Sequence, residues 1–329
     1  MDGRGAPRWG VRLPDVDPHR DIETVRRFGG RLLIPGDGEW PISLEDLGEE
    51  APFCLWVRGP LQLDTTAGLS VAIVGARAAT AYGERIAANL GAGCADRGIT
   101  VVSGAAFGID GAAHRGALSS GGTTVAVLAC GVDRFYPLGH ERLLDRIAGE
   151  GLVVSEVPPG SSPTRWRFVE RNRIIAALTR VVVVVEAAVR SGALGTAARA
   201  ERISRPLAAV PGPVTSPSSY GTHQLIRDGA VLVTGPEDVA ELVGRMGEFL
   251  PEPMEVPRTE LDDLEPRDRR VAEALPVRTA AELDGISRAA GLEAPAVAAA
   301  LGRLELRGLA VREGTGWRRT PRAQPRGSP

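Results

Sequence analysis

Residues 71–83 read VAIVGARAATAYG. Four apolar residues run without polar alternation into Gly75-Ala76-Arg77, and a helix-forming stretch follows from Glu84. A short apolar run of this kind is expected of a strand covered on both faces, as in the parallel sheet of an α/β domain. The turn after it is built of small residues, which let backbone N–H groups approach an anion at the start of the next helix. Arg77 adds a charge beside that turn. A plain tight turn with a surface arginine has the same sequence, so this motif alone is weak.

The same unit recurs outward from it. Apolar runs at 99–102, 124–128, 152–154, 181–185, 207–210 and 231–233 alternate with helical stretches at 84–97, 112–118, 140–148, 169–177 and 193–203. Strand–helix alternation predicts an α/β fold: an extended Rossmann-like, doubly wound, mostly parallel sheet with right-handed crossovers. Residues 69–246 form this core. Residues 1–68, rich in Pro and Gly, form an N-terminal extension packed on it, with a helix over 16–28. Short strands near Arg31 and Phe53 add a small lobe. The segment 247–265 is rich in prolines and acids and reads as a linker. Residues 266–320 read as three helices (267–274, 279–290, 295–307) and a strand pair around Glu313-Gly-Thr-Gly, the outline of a small winged helix-turn-helix domain. Pro295 suits a helix start. Residues 321–329 are expected to be a disordered tail.

Composition narrows the chemistry. The chain has 329 residues and a formal charge of −2, and its 39 basic residues are all arginine. Every cation is therefore a permanently charged planar fork, suited to phosphate and to stacking. A Walker A loop needs lysine and is excluded. No GxSxG elbow occurs, and the four histidines form no metal-binding pattern. No cofactor, metal or catalytic residue is expected. The three cysteines are widely spaced in apolar stretches and read as buried free thiols of a reducing compartment. Without an apolar signal core or a membrane-length run, the protein is expected to be cytoplasmic, with no membrane partner.

In a doubly wound sheet, ligands bind outside the carboxyl ends of the strands. After the second strand of the core lies Ser103-Gly104, opening a glycine-rich loop that is not a GxGxxG fingerprint. Asp110 reads as a helix cap, and His114 as a structural hydrogen-bonding group. After the fourth strand, residues 164–173 read TRWRFVERNR, interleaving four arginines with Trp166 and Phe168. Arginines for phosphates and rings for unpaired bases suit a single nucleic-acid strand. An arginine-rich helix start, solvated on one face with its rings in the core, is the plainer alternative. After the fifth strand, Ser191 and Gly192 open a helix and form a second candidate phosphate nest. The argument is the coincidence of these loops on one sheet edge.

Together these segments resemble the DprA/Smf (DNA-processing protein A) family. The resemblance rests on VAIVGARAATAYG (71–83), SGAAFGIDGAAHRGAL (103–118), VAVLACGVDRFYP (125–137), GLVVSEVPPG (151–160), FVERNRIIAAL (168–178), VVVVEAAVRSGALGTAARA (182–200) and AAVPGPV (208–214). LGRLELRGLAVREGTGW (301–317) resembles the winged helix often appended to that family. The resemblance implies a non-enzymatic single-stranded-DNA-binding protein that forms a homodimer and loads RecA recombinase during natural transformation. It also implies an N-terminal helical domain shorter than that of many members. The family's Gly-Ser-Arg turn falls on Gly75, Ala76 and Arg77, with alanine in place of serine. Its Arg-Asn-Arg segment falls on Arg171, Asn172 and Arg173, preceded by Phe168.

The expected site therefore comprises Gly75, Ala76, Arg77, Ser103, Gly104, Arg167, Phe168, Arg171, Asn172, Arg173, Ser191 and Gly192. In it Arg77, Arg167, Arg171 and Arg173 contact phosphates and Phe168 stacks on a base. In the terminal unit, Arg303 and Arg307 are candidates for duplex contacts. Two rival readings stand beside this one. A Rossmann-fold nucleotide phosphoribohydrolase needs an acid where Arg199 stands. A nucleotide-sensing winged-helix regulator would prefer duplex DNA.

Overall fold

The computed structural model describes residues 17–245, 248–249 and 260–320, in two compact units, Met1–Glu252 and Pro253–Pro329. The expected tail at 321–329 and most of the expected linker lie outside the described residues.

The first unit is built on one nine-stranded sheet in the order β1-β2-β6-β5-β4-β3-β7-β8-β9. Its strands are β1 (Gly30–Leu33), β2 (Leu55–Arg58), β3 (Ser70–Val74), β4 (Thr100–Ser103), β5 (Thr124–Leu128), β6 (Leu152–Ser155), β7 (Val181–Val184), β8 (Leu207–Ala209) and β9 (Val231–Leu232). Strands β3 to β9 pair in parallel, and β1 and β2 add an antiparallel edge through β6. The expected small lobe is thus part of the main sheet. The helices are α1 (Pro18–Arg27), α2 (Leu63–Gly68), α3 (Ala81–Ala95), α4 (Ile109–Ser119), α5 (Glu141–Glu150), α6 (Arg165–Ala177), α7 (Gly192–Arg202), α8 (Tyr220–Arg227) and α9 (Pro236–Val243).

The valine runs are apolar throughout because both faces of the sheet are covered. Along β3, Ala72 and Val74 join one core and Val71 and Ile73 the other. Along β7, Val182 and Val184 join the first core, Val181 and Val183 the second. The first core also takes in Ile174 and Ile175 of α6 and Ala193 and Ala197 of α7. The second takes in Leu90 of α3, Ala113 of α4 and Val239 of α9. Each fully buried valine contributes roughly 1.5 kcal/mol.

Helix α6 starts four residues before its expected position. Thr164 caps it, its side chain accepting from Arg167 N, so Arg165, Trp166 and Phe168 belong to the helix. Helices α8 and α9 had no counterpart in the sequence reading.

The second unit packs α10 (Pro266–Ala274), α11 (Leu283–Ala290) and α12 (Ala294–Leu306) against a hairpin of β10 (Ala310–Glu313) and β11 (Gly316–Arg319). Val271, Ile286, Val297, Leu301 and Leu304 form its core. Helix α11 begins later than expected because Ala281 makes a β-bridge with Trp317. Leu264 is buried in this core, so the packed unit starts inside the segment expected to be linker.

Candidate nucleic-acid interface

Strand order reverses beside β3: β4, β5 and β6 lie on one side of it, β7, β8 and β9 on the other. The loops leaving β3 and β7 therefore diverge and leave a crevice between them, the usual ligand position in such sheets. Here the crevice encloses about 1000 Å³ and is lined by Gly75, Ala76 and Arg77 on one loop, and Arg190, Ser191 and Gly192 on the other. The two loops are tied together. Ala76 N donates to Glu186 O at 2.8 Å, and the buried Glu186 carboxylate accepts from Thr80 N at 2.9 Å and Thr80 Oγ1 at 2.6 Å.

The face of α6 turned to the crevice carries Arg165, Phe168 and Asn172, at helical spacing. The Arg77 guanidinium lies over the Phe168 ring, 4.6 Å from its centroid, and the Tyr136 ring stands 5.7 Å from it. The two roles expected separately for Arg77 and Phe168 meet in one contact. Asn172 Nδ2 reaches Gly192 O at 3.5 Å, and Ser191 caps α7 by accepting from Ala193 N at 3.3 Å. Arg77, Arg165 and Arg190 are exposed, and among the described residues no carboxylate pairs with them. Arg165 and Arg190 were not among the expected site residues. The signal for Arg165 was its place three residues before Phe168 and seven before Asn172.

Four expected residues stand elsewhere. Ser103 is fully buried, its hydroxyl donating to Ile73 O at 2.7 Å. Gly104 N donates to Asp110 Oδ2 at 3.2 Å, and a side chain at 104 would collide with the Arg171 guanidinium. Neither is open to a phosphate. Arg173 is 6% exposed and forms an ion pair with Glu156 at 2.6 Å, while its Nε donates to Glu50 O at 2.8 Å. Its donors are engaged inside the fold, and it does not line the crevice. Arg167 does not line the crevice and donates to Ser162 O.

Arg171 borders the crevice yet is also 6% exposed. Its Nη1 donates to Gly104 O at 2.9 Å and to Val127 O. Burial lowers its pKa to about 10, which leaves it charged at neutral pH. Burial raises the Asp110 pKa, and the Arg171 charge opposes that shift. The pair holds the loop after β4 in place, so Arg171 shapes the crevice wall. Trp166 is 69% exposed and lies neither in the core nor on the crevice.

The remaining ionisable groups at the strand ends are also engaged. Asp110 reaches back to Gly104 N and Ala106 N. His114 is buried, with Nδ1 2.7 Å from Thr124 Oγ1. That hydroxyl donates to Val101 O, so His114 Nδ1 carries the proton and donates to it. Burial lowers the His114 pKa to about 3. Arg199 pairs with Glu50 and Glu170.

The family model of DNA recombination-mediator protein A matches residues 31–244, and that of the DprA winged helix domain matches 255–316. The chain belongs to the DprA family. The DNA processing protein DprA of Mycobacterium tuberculosis is 50% identical over 309 residues, covering 91% of this chain and 79% of that protein. DprA of Streptococcus pneumoniae is 44% identical over 228 residues, covering 69% of this chain and 79% of that protein. Its crystal structure superposes with a TM-score of 0.65 at 38% identity, covering 71% of this chain and 81% of that one. DNA processing protein A of Helicobacter pylori, whose structure addresses its single-stranded DNA binding mode, has a TM-score of 0.59 at 29% identity, covering 65% and 95%. The crevice described above falls wholly within the segment matched by the DprA family model.

In the DprA winged helix, Arg303 makes a two-pronged ion pair with the buried Asp268, at 2.8 and 2.6 Å, and so joins α12 to α10. The Arg303 fork also holds the Asp268 carboxyl below its usual range. Arg303 is thus engaged within the domain, although its side chain stays half exposed. Arg307 Nη1 reaches Asp263 O at 3.4 Å. The exposed residues in the first two turns of α12 are Pro295, Ala298 and Ala299, none able to hydrogen-bond a base edge through its side chain.

Proposed function

We propose that this chain binds single-stranded DNA without catalysis. On this reading it protects the strand in the cytoplasm and presents it to RecA recombinase during transformation and recombination, acting as a homodimer. The observation that carries the DNA reading is the convergence of three arginines, Arg77, Arg165 and Arg190, unpaired among the described residues, on a crevice containing Phe168. A ring inside a crevice suits a splayed, unpaired base, whereas the bases of a duplex are stacked and paired. Three cations around it suit the flanking phosphates. The single-stranded DNA binding of the Helicobacter pylori relative supports the same reading.

The RecA step rests on the family resemblance. The dimer draws support from β9, an edge strand with Val231 and Leu232 both exposed. Among the described residues no helix is long and apolar enough to cross a membrane. The phosphoribohydrolase reading is disfavoured by Arg199, which fills the acid's place with a paired cation. The regulator reading is disfavoured by the bare start of α12.

The test is binding of labelled oligo-dT and of its duplex, at two salt concentrations, by the wild type and an Arg77→Ala/Arg165→Ala/Arg190→Ala variant. The expected result is salt-sensitive single-strand preference that the variant loses. Sequence-dependent preference for duplex would support the regulator instead, and release of free base from nucleotide monophosphates would support the enzyme.

A further inference from the structure

Beyond the crevice, the same sheet edge carries a second ring and cation. Phe107, in the loop after β4, is 49% exposed. Its neighbour Ala106 lines the crevice, and the loop abuts the Arg77 turn through Ile109 N, which donates to Ala76 O at 3.3 Å. Gly108 at φ +74° packs so closely on Ala76 O and Arg77 O that a side chain would collide there.

The Phe107 ring is held in place. It meets the His140 ring edge to face, with centroids 4.8 Å apart and planes at 64°. The buried His140 has Nδ1 3.0 Å from Ala105 O, placed to donate to it, and so fastens the loop by its backbone as well. Ala105 sits at φ +56°, a left-handed conformation unfavourable for a residue with a side chain. Such a conformation persists only where its surroundings enforce it.

The cation is Arg115. It is exposed, its side chain has no hydrogen bond or ion pair among the described residues, and its guanidinium borders Gly111 together with His140. Tyr136 links the two places: its ring meets Phe168, and three residues on a side chain at Gly139 would press on the Phe107 ring. Exposed apolar surface therefore continues from the crevice through Tyr136 and Leu138 to Phe107.

We infer that Phe107, backed by His140 and flanked by Arg115, is a second stacking platform for another base of the strand whose neighbouring nucleotides occupy the crevice. The inference rests on the single-stranded DNA reading above. Phe107 stacks on the base face, Arg115 neutralises a phosphate, and His140 is a positioning residue. Like Phe168, Phe107 is a ring with an arginine, unpaired among the described residues, on the same sheet edge, here with His140 standing between the ring and Arg115 around Gly111. The platform makes the site longer than the crevice alone, so the length of the strand decides whether it is engaged.

The experiment measures affinity for oligo-dT from about 4 to about 16 nucleotides, using wild type, Phe107→Ala and Phe107→Tyr. A parallel series carries fluorescent 2-aminopurine at successive positions of the longest oligonucleotide. Phe107→Ala is expected to bind the long strand roughly tenfold more weakly and the shortest one unchanged. Stacking quenches 2-aminopurine, so one position beyond the crevice should brighten in Phe107→Ala, and Phe107→Tyr should restore both readouts. Arg115→Ala should flatten the salt dependence for the long strand only, by about 0.7 in log–log slope.

Equal affinities of Phe107→Ala and wild type at every length, with wild-type binding intact, would overturn the platform and leave the crevice reading standing. Equal losses at short and long lengths would overturn it too, by placing Phe107 in the primary site. No single-strand binding by wild type at any length would overturn the crevice reading itself, and the platform with it.

Discussion

The two ends of α6 carry the same residue type to opposite fates. In its first turn Arg165 stands exposed at the crevice mouth, unpaired among the described residues. Two turns later Arg171 and Arg173 are buried, one bonded to Gly104 O and Val127 O, the other paired with Glu156. The difference lies in what each faces. Arg171 is followed by Ile174, Ile175 and Leu178 at offsets of three, four and seven residues, all buried. It shares the core face, and its charge is tolerated because carbonyls and Asp110 compensate it. An outer arginine should act on DNA and leave the fold alone; an inner one should do the reverse.

The largest effect is expected at an inner position. Arg171→Ala removes the cation that offsets the buried Asp110 charge and the donor shared by Gly104 O and Val127 O. It should lower the stability of the first unit by about 3–5 kcal/mol, read by denaturant unfolding. A loss well below 1 kcal/mol would mean that Arg171 is free to serve a ligand.

Next comes Phe168→Ala, which should weaken oligo-dT binding by about 1–3 kcal/mol in a titration. A fall in stability with unchanged affinity would move Phe168 to the inner class.

A smaller effect tests whether the inner polar cluster is as dry as described. His114 has a folded pKa near 3, below its ordinary 6.5. The unfolded chain therefore takes up the proton first as pH falls. Stability is fully present above pH 6.5 and is lost on descending toward pH 3, by up to about 1.4 kcal/mol per pH unit from this group. Unfolding free energies between pH 7.5 and 5 should show this slope, and His114→Gln should remove it. The smallest expected effect belongs to single outer arginines: Arg165→Ala or Arg190→Ala should each flatten the salt dependence by about 0.7, with no change in melting temperature.

The same contrast explains what the sequence made legible. The sheet was readable because unbroken valine runs are stable only between two covered faces. Gly75, Ala76, Ser191 and Gly192 were legible as crevice-lining residues because they are small residues at strand ends beside the switch point, and Arg77 because it follows such a turn. The short strands near Arg31 and Phe53 are legible as an addition packed on the core, but their place in the main sheet is not, because pairing of β2 with β6 joins residues a hundred apart and no local pattern records it. Helices α8 and α9 were missed because eight residues give barely two turns of periodicity. Arg171 sits among clustered charges in the sequence, yet its spacing from Ile174, Ile175 and Leu178 puts it on the core face, so helical phase and not charge decides its place. For Arg173 the deciding partners, Glu156 and Glu50, come from other elements.

The most direct measurement is the slope of log affinity against log salt for oligo-dT, with three proteins: wild type, Arg77→Ala/Arg165→Ala/Arg190→Ala, and Arg173→Ala. The account predicts a slope shallower by about 2 in the triple variant, at unchanged melting temperature. It predicts an unchanged slope in Arg173→Ala, with a lowered melting temperature. A slope that falls in Arg173→Ala and stays intact in the triple variant would contradict it, by placing the DNA contacts on the inner arginines.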